Sequence, residues 1–338
     1  MRIAEIAPIA LTVPPKDYGG IEWVVAHLAG GLSARGHDVT LFAAPGSASP
    51  ARVVSTLDRP VGTGNVEAAD ELVHALAAYR HAADFDVIHD HTVLGVALGA
   101  LQPSPVPVFH TLHGPWTPQV RRYYGALNGD VELVAISEAQ RAENPGAHYA
   151  GVVYNGVRVA SFPFREDDDG YLLFVGRVNR EKGPDVAVEI ARRAGLPLKM
   201  VVKRTEPGEQ QYWEQQVAPR LTGSEEVLDG VGEAEKLRLY AGALATLFPI
   251  QWPEPFGLVM VESMACGTPV VARPCGAARE VVADGQTGFL RSEMDDLVAA
   301  VGQVRSLDPG ACRARVEERF SSEAMVTGYE ALFEAAGA

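Results

Sequence analysis

Apolar runs of strand length alternate with helix-length amphipathic segments along this chain, and the alternation begins twice. No other feature constrains the fold as much. Strands that succeed one another through helical crossovers must lie parallel, with the helices covering the sheet. Residues 3–11 read as a buried strand. Residues 22–35 read as a helix, with Trp23, Val24, His27, Leu28 and Leu32 near helical spacing and Gly36 as its stop. A strand at 38–43, a helix at 67–83 and strands at 85–89, 106–111 and 132–136 complete a first set. A boundary falls near residues 152–156, and 165–170 is a polar, acidic connection. The second set has strands at 171–176, 198–202, 246–249 and 269–272, helices at 184–194, 235–242 and 258–265, and a last helix at 322–335. The expected architecture is α/β, with two open parallel-sheet halves that bind ligands at the carboxyl ends of their strands, in a cleft between the halves.

The length of 338 residues suits two domains, and 47% hydrophobic residues suffice for two cores. The net charge of −14 removes any general attraction for nucleic acid or anionic lipid. A phosphate compound would therefore be held by a few local cations. Three scattered cysteines, Cys266, Cys275 and Cys312, give no disulfide framework and suit a reducing, cytoplasmic setting. The apolar start, with an internal Glu5 and no cleavage site, reads as a strand and not a signal peptide, and no apolar run spans a bilayer.

Two segments carry chemistry. In the first, Glu254 precedes a helix and Glu262 lies inside it, with Pro255 and Gly257 opening the turn between them. The amides of Phe256, Gly257 and Leu258 then suit an anion, and a carboxylate farther along suits a ribose diol. An ordinary helix cap with a buried, paired Glu is an equally good reading of that segment alone. In the second, a strand ends at Gly176, followed by Arg177, Lys182 and the helix start Gly183-Pro184. Two cations at a strand end match a diphosphate, at about 1.5–3 kcal/mol per charged hydrogen bond, although solvated surface cations are the bland alternative.

Taken in order along the chain, these marks resemble family 4 glycosyltransferases of the GT-B fold over nearly the whole length. The carriers are Gly19-Gly20, Asp86-Val87-Ile88-His89, Thr111-Leu112-His113-Gly114 and Val153-Tyr154-Asn155-Gly156-Val157. They continue with Gly176-Arg177, Lys182, the run from Glu254 through Glu262 to Cys266-Gly267-Thr268-Pro269, and Gly285-Gln286-Thr287-Gly288-Phe289. The resemblance implies two Rossmann-like parallel-sheet domains facing an interdomain cleft. It implies an acceptor-side domain over 1–156 and a nucleotide-sugar donor domain over 157–320, with 321–338 packing back on the first. It implies retaining, metal-independent transfer from a nucleotide-diphosphate sugar, uridine being the favoured base, to a sugar-containing acceptor, with no further cofactor. Arg177 and Lys182 would hold the diphosphate, with the amides of Phe256, Gly257 and Leu258. Glu254 would meet sugar hydroxyls, Glu262 the ribose, Val231 and Glu233 the base region, and His113 the donor sugar near its reacting carbon. Gly19 and Gly20 would let backbone approach the ligand. Loops at 44–66 and 114–129 would face the acceptor.

The chemistry suits those residue types. Breaking a sugar–phosphate bond leaves negative charge on the diphosphate, and fixed cations and amides stabilise it. A covalent route needs a second close carboxylate as nucleophile, which the sequence does not offer convincingly. Lys203-Arg204 depart from the family's glycines after the 198–202 strand, and either shape the sugar pocket or form a solvated basic pair. Asp84-Phe85-Asp86 has the letters of a metal motif at the wrong end of a strand. His89-Asp90-His91 admits metal ligation, an acceptor-pocket role or a satisfied polar cluster. A nucleotide-sugar epimerase and a non-catalytic nucleotide-sugar binding protein share the expected fold. A nicotinamide-dependent oxidoreductase is disfavoured because the first loop lacks Gly-x-Gly-x-x-Gly.

Overall fold

The computed structural model describes all residues except 17–18, 60, 63–65, 102–103, 128–130 and 338. Parts of both loops expected to face an acceptor, at 60, 63–65 and 128–129, therefore lie outside the described residues. The chain divides into two compact units, Met1–Val157 with Ser321–Ala338, and Arg158–Phe320.

The N-terminal unit has seven strands among its described residues. They are β1 (Arg2–Ile6), β2 (Asp38–Phe42), β3 (Arg52–Val54), β4 (Val87–Asp90), β5 (Val108–Leu112), β6 (Glu132–Ala135) and β7 (Tyr149–Val152). Their order is β3-β2-β1-β4-β5-β6-β7, and their pairings are parallel. The second unit has β8 (Tyr171–Arg177), β9 (Leu198–Lys203), β10 (Glu225–Asp229), β11 (Ala243–Phe248), β12 (Val270–Ala272) and β13 (Gly288–Leu290). Its order is β10-β9-β8-β11-β12-β13, again parallel. Both are doubly wound Rossmann-like sheets. The strand order reverses between β1 and β4 in one and between β8 and β11 in the other, and open parallel sheets of this kind bind ligands at such switch points.

Strands covered on both faces read as continuous apolar runs, as in β11, where every residue is buried. The sequence extends the first strand to residue 11, but the ladder ends near Pro8. Ala7 N–H makes the last rung to Phe42 O at 2.9 Å, and proline has no N–H to continue it. The three-residue strands β3 and β13 escaped the sequence reading, whereas β12, equally short, was found as an unbroken apolar run. β13 begins at Gly288, where a Cβ would stand 2.1 Å from Val270 O, so only glycine lets the two strands approach.

The helix Ser322–Ala335 belongs to the N-terminal unit and begins with Ser321 as its cap, accepting from Ala324 N–H. Met325, Val326, Tyr329 and Phe333 are buried. Phe333 packs edge-on to Phe109 at 5.0 Å, and Tyr329 Oη lies 2.8 Å from Thr111 Oγ1. Glu330 pairs with Arg35 and with His37 on the helix Gly20–Ala34 and the turn that follows it. Two glycines make room for this packing. A Cβ on Gly31 would lie 2.5 Å from Val326 Cγ2, and one on Gly156 would lie 2.4 Å from Ser321 O.

Candidate functional site

At the switch point of the second unit, the loop after β8 carries Lys182 and the loop after β11 carries Glu254. Both loops leave the carboxyl ends of adjacent parallel strands. Lys182 Nζ donates to Glu254 Oε2 at 2.5 Å, and the Trp252 indole N–H donates to the same oxygen at 2.8 Å. The ammonium also lies 5.1 Å from the Trp252 ring centre and 5.9 Å from that of Phe248. A nearly buried carboxylate thus fixes a cation in an aromatic setting, where its field is less screened than in water.

Glycines shape this junction. Gly183 adopts φ +67° as the cap of the helix Pro184–Ala194, and a Cβ there would lie 2.6 Å from Pro249 O. Gly276, at φ +55°, would place a Cβ 2.2 Å from Glu254 O and 2.4 Å from Glu254 N. Gly276→Ala is therefore expected to cost more than the about 1–3 kcal/mol of a strained φ alone. Gly285→Ala is the control, since φ is +75° there with nothing within 4 Å of the added carbon. Chemical denaturation of both variants checks this, and equal losses would remove the steric argument.

Arg177 ends β8, with Nη1 3.9 Å from Glu209 Oε1. Glu209 is buried, and that oxygen has no hydrogen bond; its other oxygen accepts from the amides of Thr205 and Glu206. Arg177 thus stands at the same sheet edge as Lys182 without joining the Lys182–Glu254 pair.

The helix Leu258–Ala265 follows Gly257, which caps it at φ +88°. That positive φ favours glycine, and an added Cβ would also press on the Phe248 ring at 3.2 Å and displace the flexible end of Met260. Phe256 is buried against Phe320, its ring centre 5.8 Å away. Glu262, one turn into the helix, accepts from Lys236 Nζ at 3.2 Å and from Tyr240 Oη at 2.9 Å. Lys236 also pairs with Glu233 at 2.9 Å. Burial disfavours the Lys236 charge, but Glu262 and Glu233 outweigh it and raise the pKa above the usual lysine range. Glu233 and Glu262 are thereby joined through one ammonium. Val231 is half-buried in the turn between β10 and the helix Glu233–Gly242.

Lys236, Tyr240 and Glu209 were not singled out in the sequence. Glu233, Lys236 and Tyr240 recur at i, i+3 and i+7 on one helix face, a spacing that would have revealed the cluster. Trp252 binds a site carboxylate through its indole N–H. Arg204 lies 4.4 Å over the Trp213 ring and pairs with Asp229, an engaged cation on its own sheet edge.

In the N-terminal unit, Gly19 caps the helix Gly20–Ala34 in extended conformation. A Cβ on Gly19 would lie 2.8 Å from Pro15 and 2.9 Å from Glu22 Oε2, so its need for glycine is local packing. Gly20 is exposed at the first helical position. His113 follows β5, half-buried, with Nε2 2.9 Å from His91 Nδ1. Burial and the neighbouring histidines hold its pKa well below the usual histidine range, so it is neutral at neutral pH. Glu5, His89 and His91 place one ligand atom each within 4.8 Å of one another, close enough for a metal, though direct hydrogen bonds already join them. Asp86 instead binds Arg2 at the amino end of β4. No described helix is long and apolar enough to cross a membrane.

Residues 18–161 match the family model described as Glycosyltransferase Family 4, and residues 160–318 that described as Glycosyl transferases group 1. The chain is 30% identical to phosphatidyl-myo-inositol mannosyltransferase of Mycolicibacterium smegmatis, over 89% of this chain and 84% of that protein. Its fold is similar to the crystal structure of AviGT4, a glycosyltransferase involved in avilamycin A biosynthesis, with a TM-score of 0.76 and 26% identity over 100% and 98% of the two chains. HepE of Anabaena, crystallised in complex with UDP, has a TM-score of 0.75 at 21% identity, over 99% and 100%.

Proposed function

The chain belongs to the family 4 glycosyltransferases, of GT-B fold, and from that premise we propose that it moves a sugar from a UDP-linked donor to a sugar-containing small-molecule or oligosaccharide acceptor. In this reading the transfer retains anomeric configuration, uses no metal and serves natural-product assembly. The observation that carries it is the fixed cation at the β8/β11 switch point, Lys182 held by Glu254 and Trp252. Lys182 and Arg177 take the diphosphate, with the amides of Phe256, Gly257 and Leu258. Both hydrogen bonds to Glu254 land on Oε2, and Oε1 meets hydroxyls of the sugar. Each Glu262 oxygen accepts one hydrogen bond within the protein, and a carboxylate has about four acceptor positions, enough for a ribose diol as well. Val231 and Glu233 border the base, Gly19 and Gly20 let the backbone at the start of their helix approach the ligand, and His113 contacts the sugar.

The bond from the anomeric carbon to phosphate breaks as the acceptor oxygen attacks on the same face, and the departing phosphate oxygen takes the acceptor's proton. Cations on the phosphate stabilise its developing charge. The UDP complex of HepE supports uridine as the base, and the likeness to AviGT4 supports a natural-product acceptor.

Thermal stabilisation by the diphosphates of uridine, guanosine, thymidine and adenosine tests the reading. At a hundredfold excess over Kd, binding adds about 2.7 kcal/mol, a rise of roughly 5–10 °C for a unit of this size. UDP is expected to give the largest shift. Failure of all four to stabilise the protein would sink the nucleotide-sugar reading.

A further inference from the structure

Glu5 is an unusual residue for the middle of a central strand: a carboxylate with no exposed surface and no lysine or arginine ion pair among the described residues. Its Cα partner in β4 is His89. His89 Nδ1 lies 3.1 Å from its Oε1, and His91 Nε2 lies 3.0 Å from its Oε2. A buried carboxylate left without hydrogen bonds would cost several kcal/mol, so both contacts must be made. An ionised carboxylate only accepts, so both imidazoles must donate to it. His89 therefore carries a proton on Nδ1 and His91 one on Nε2.

The consequence passes outward. A neutral His91 protonated on Nε2 has only an acceptor at Nδ1, and that atom faces His113 Nε2 at 2.9 Å. His113 must donate there, which leaves its Nδ1 as an acceptor. The protonation states agree with this. Burial alone would raise the Glu5 carboxyl, but His89 and His91 hold it down to about 2. Burial holds His91 at about 4. On the other side, His89 Nε2 lies 2.8 Å from Thr111 Oγ1, which lies 2.8 Å from Tyr329 Oη, so the chain of bonds is anchored in the helix Ser322–Ala335.

We propose that Glu5 and His91 are positioning residues that hold His113 as the tautomer protonated on Nε2, so that its Nδ1 accepts a hydrogen bond from a hydroxyl of the donor sugar. The sugar contact rests on the reading of His113 given above. The tautomer does not.

Ring 15N spectra of the full chain labelled at histidine test the relay without any ligand. In the wild type, His113 is expected to be protonated on Nε2 near neutral pH. A proton on Nδ1 instead overturns the proposal, and this needs no variant. Glu5→Leu keeps similar volume but removes the acceptor, and His113 is expected to become a mixture of tautomers. In the same variant kcat is expected to fall about 10–100-fold while KM changes less than about threefold, as for other supporting hydrogen-bond partners. An unchanged His113 tautomer in folded Glu5→Leu overturns the relay. Full kcat in His113→Ala would instead remove the sugar-contact reading, and the spectrum would still decide the relay.

Discussion

Lys182→Ala is expected to lower kcat/KM for sugar transfer by about 10²–10³-fold, the usual cost of removing one preorganised group that stabilises developing charge. The structure makes this a demanding position. Glu254 is nearly buried, and its Oε2 takes hydrogen bonds from Lys182 and from Trp252. Without the ammonium, the carboxylate keeps the indole N–H as its one partner on that oxygen among the described residues. A stability loss of about 1–3 kcal/mol should therefore accompany the kinetic defect. The two effects separate by measurement. A purely structural role would leave the thermal shift from UDP intact in the folded variant; a role on the diphosphate would diminish it. Wild-type kcat/KM within threefold would remove Lys182 from the diphosphate.

Deleting residues 321–338 is expected to unfold the N-terminal unit. The helix Ser322–Ala335 buries Met325, Val326, Tyr329 and Phe333 against that unit. Burial of each large apolar side chain is worth about 1.5–3 kcal/mol, so the set approaches the roughly 5–15 kcal/mol that holds a whole domain. Tyr329 also completes the hydrogen-bond chain through Thr111 to His89, and Glu330 holds Arg35 and His37. Thermal melts and limited proteolysis would report this. A truncated chain with the wild-type melting temperature and full activity would contradict it.

Several periodic elements were legible in the sequence, but length alone did not decide it: the helix Pro309–Arg319, as long as Pro184–Ala194, was not read. The helices Pro184–Ala194, Leu258–Ala265 and Ser322–Ala335 fall on the residues the pattern gives. Short strands such as β3 and β13 were not legible, because Arg52 and Gly288 interrupt them, whereas β12, equally short, is an unbroken apolar run. In the candidate site, the ordered motifs singled out Lys182, Glu254 and Glu262, but not what holds them. Trp252 sits two residues before Glu254, and nothing in that spacing tells packing from hydrogen bonding. Glu209 reaches the neighbourhood of Arg177 from a separate helix, and Glu5 meets His89 and His91 through strand pairing. Such partners come from tertiary approach, which no local pattern encodes.

The N-terminal unit closes with Ser321–Ala338, after the whole of Arg158–Phe320 has intervened. A chain made from its amino end at about 5–20 residues per second must finish the second unit first, a wait of roughly 10–30 s. Through that interval the apolar faces of Phe109, Val153 and Gly31 have no cover from Phe333, Gly328 and Val326. The earlier unit therefore stays without its last piece until the chain is complete, and chaperone dependence should concentrate in the first half of the chain.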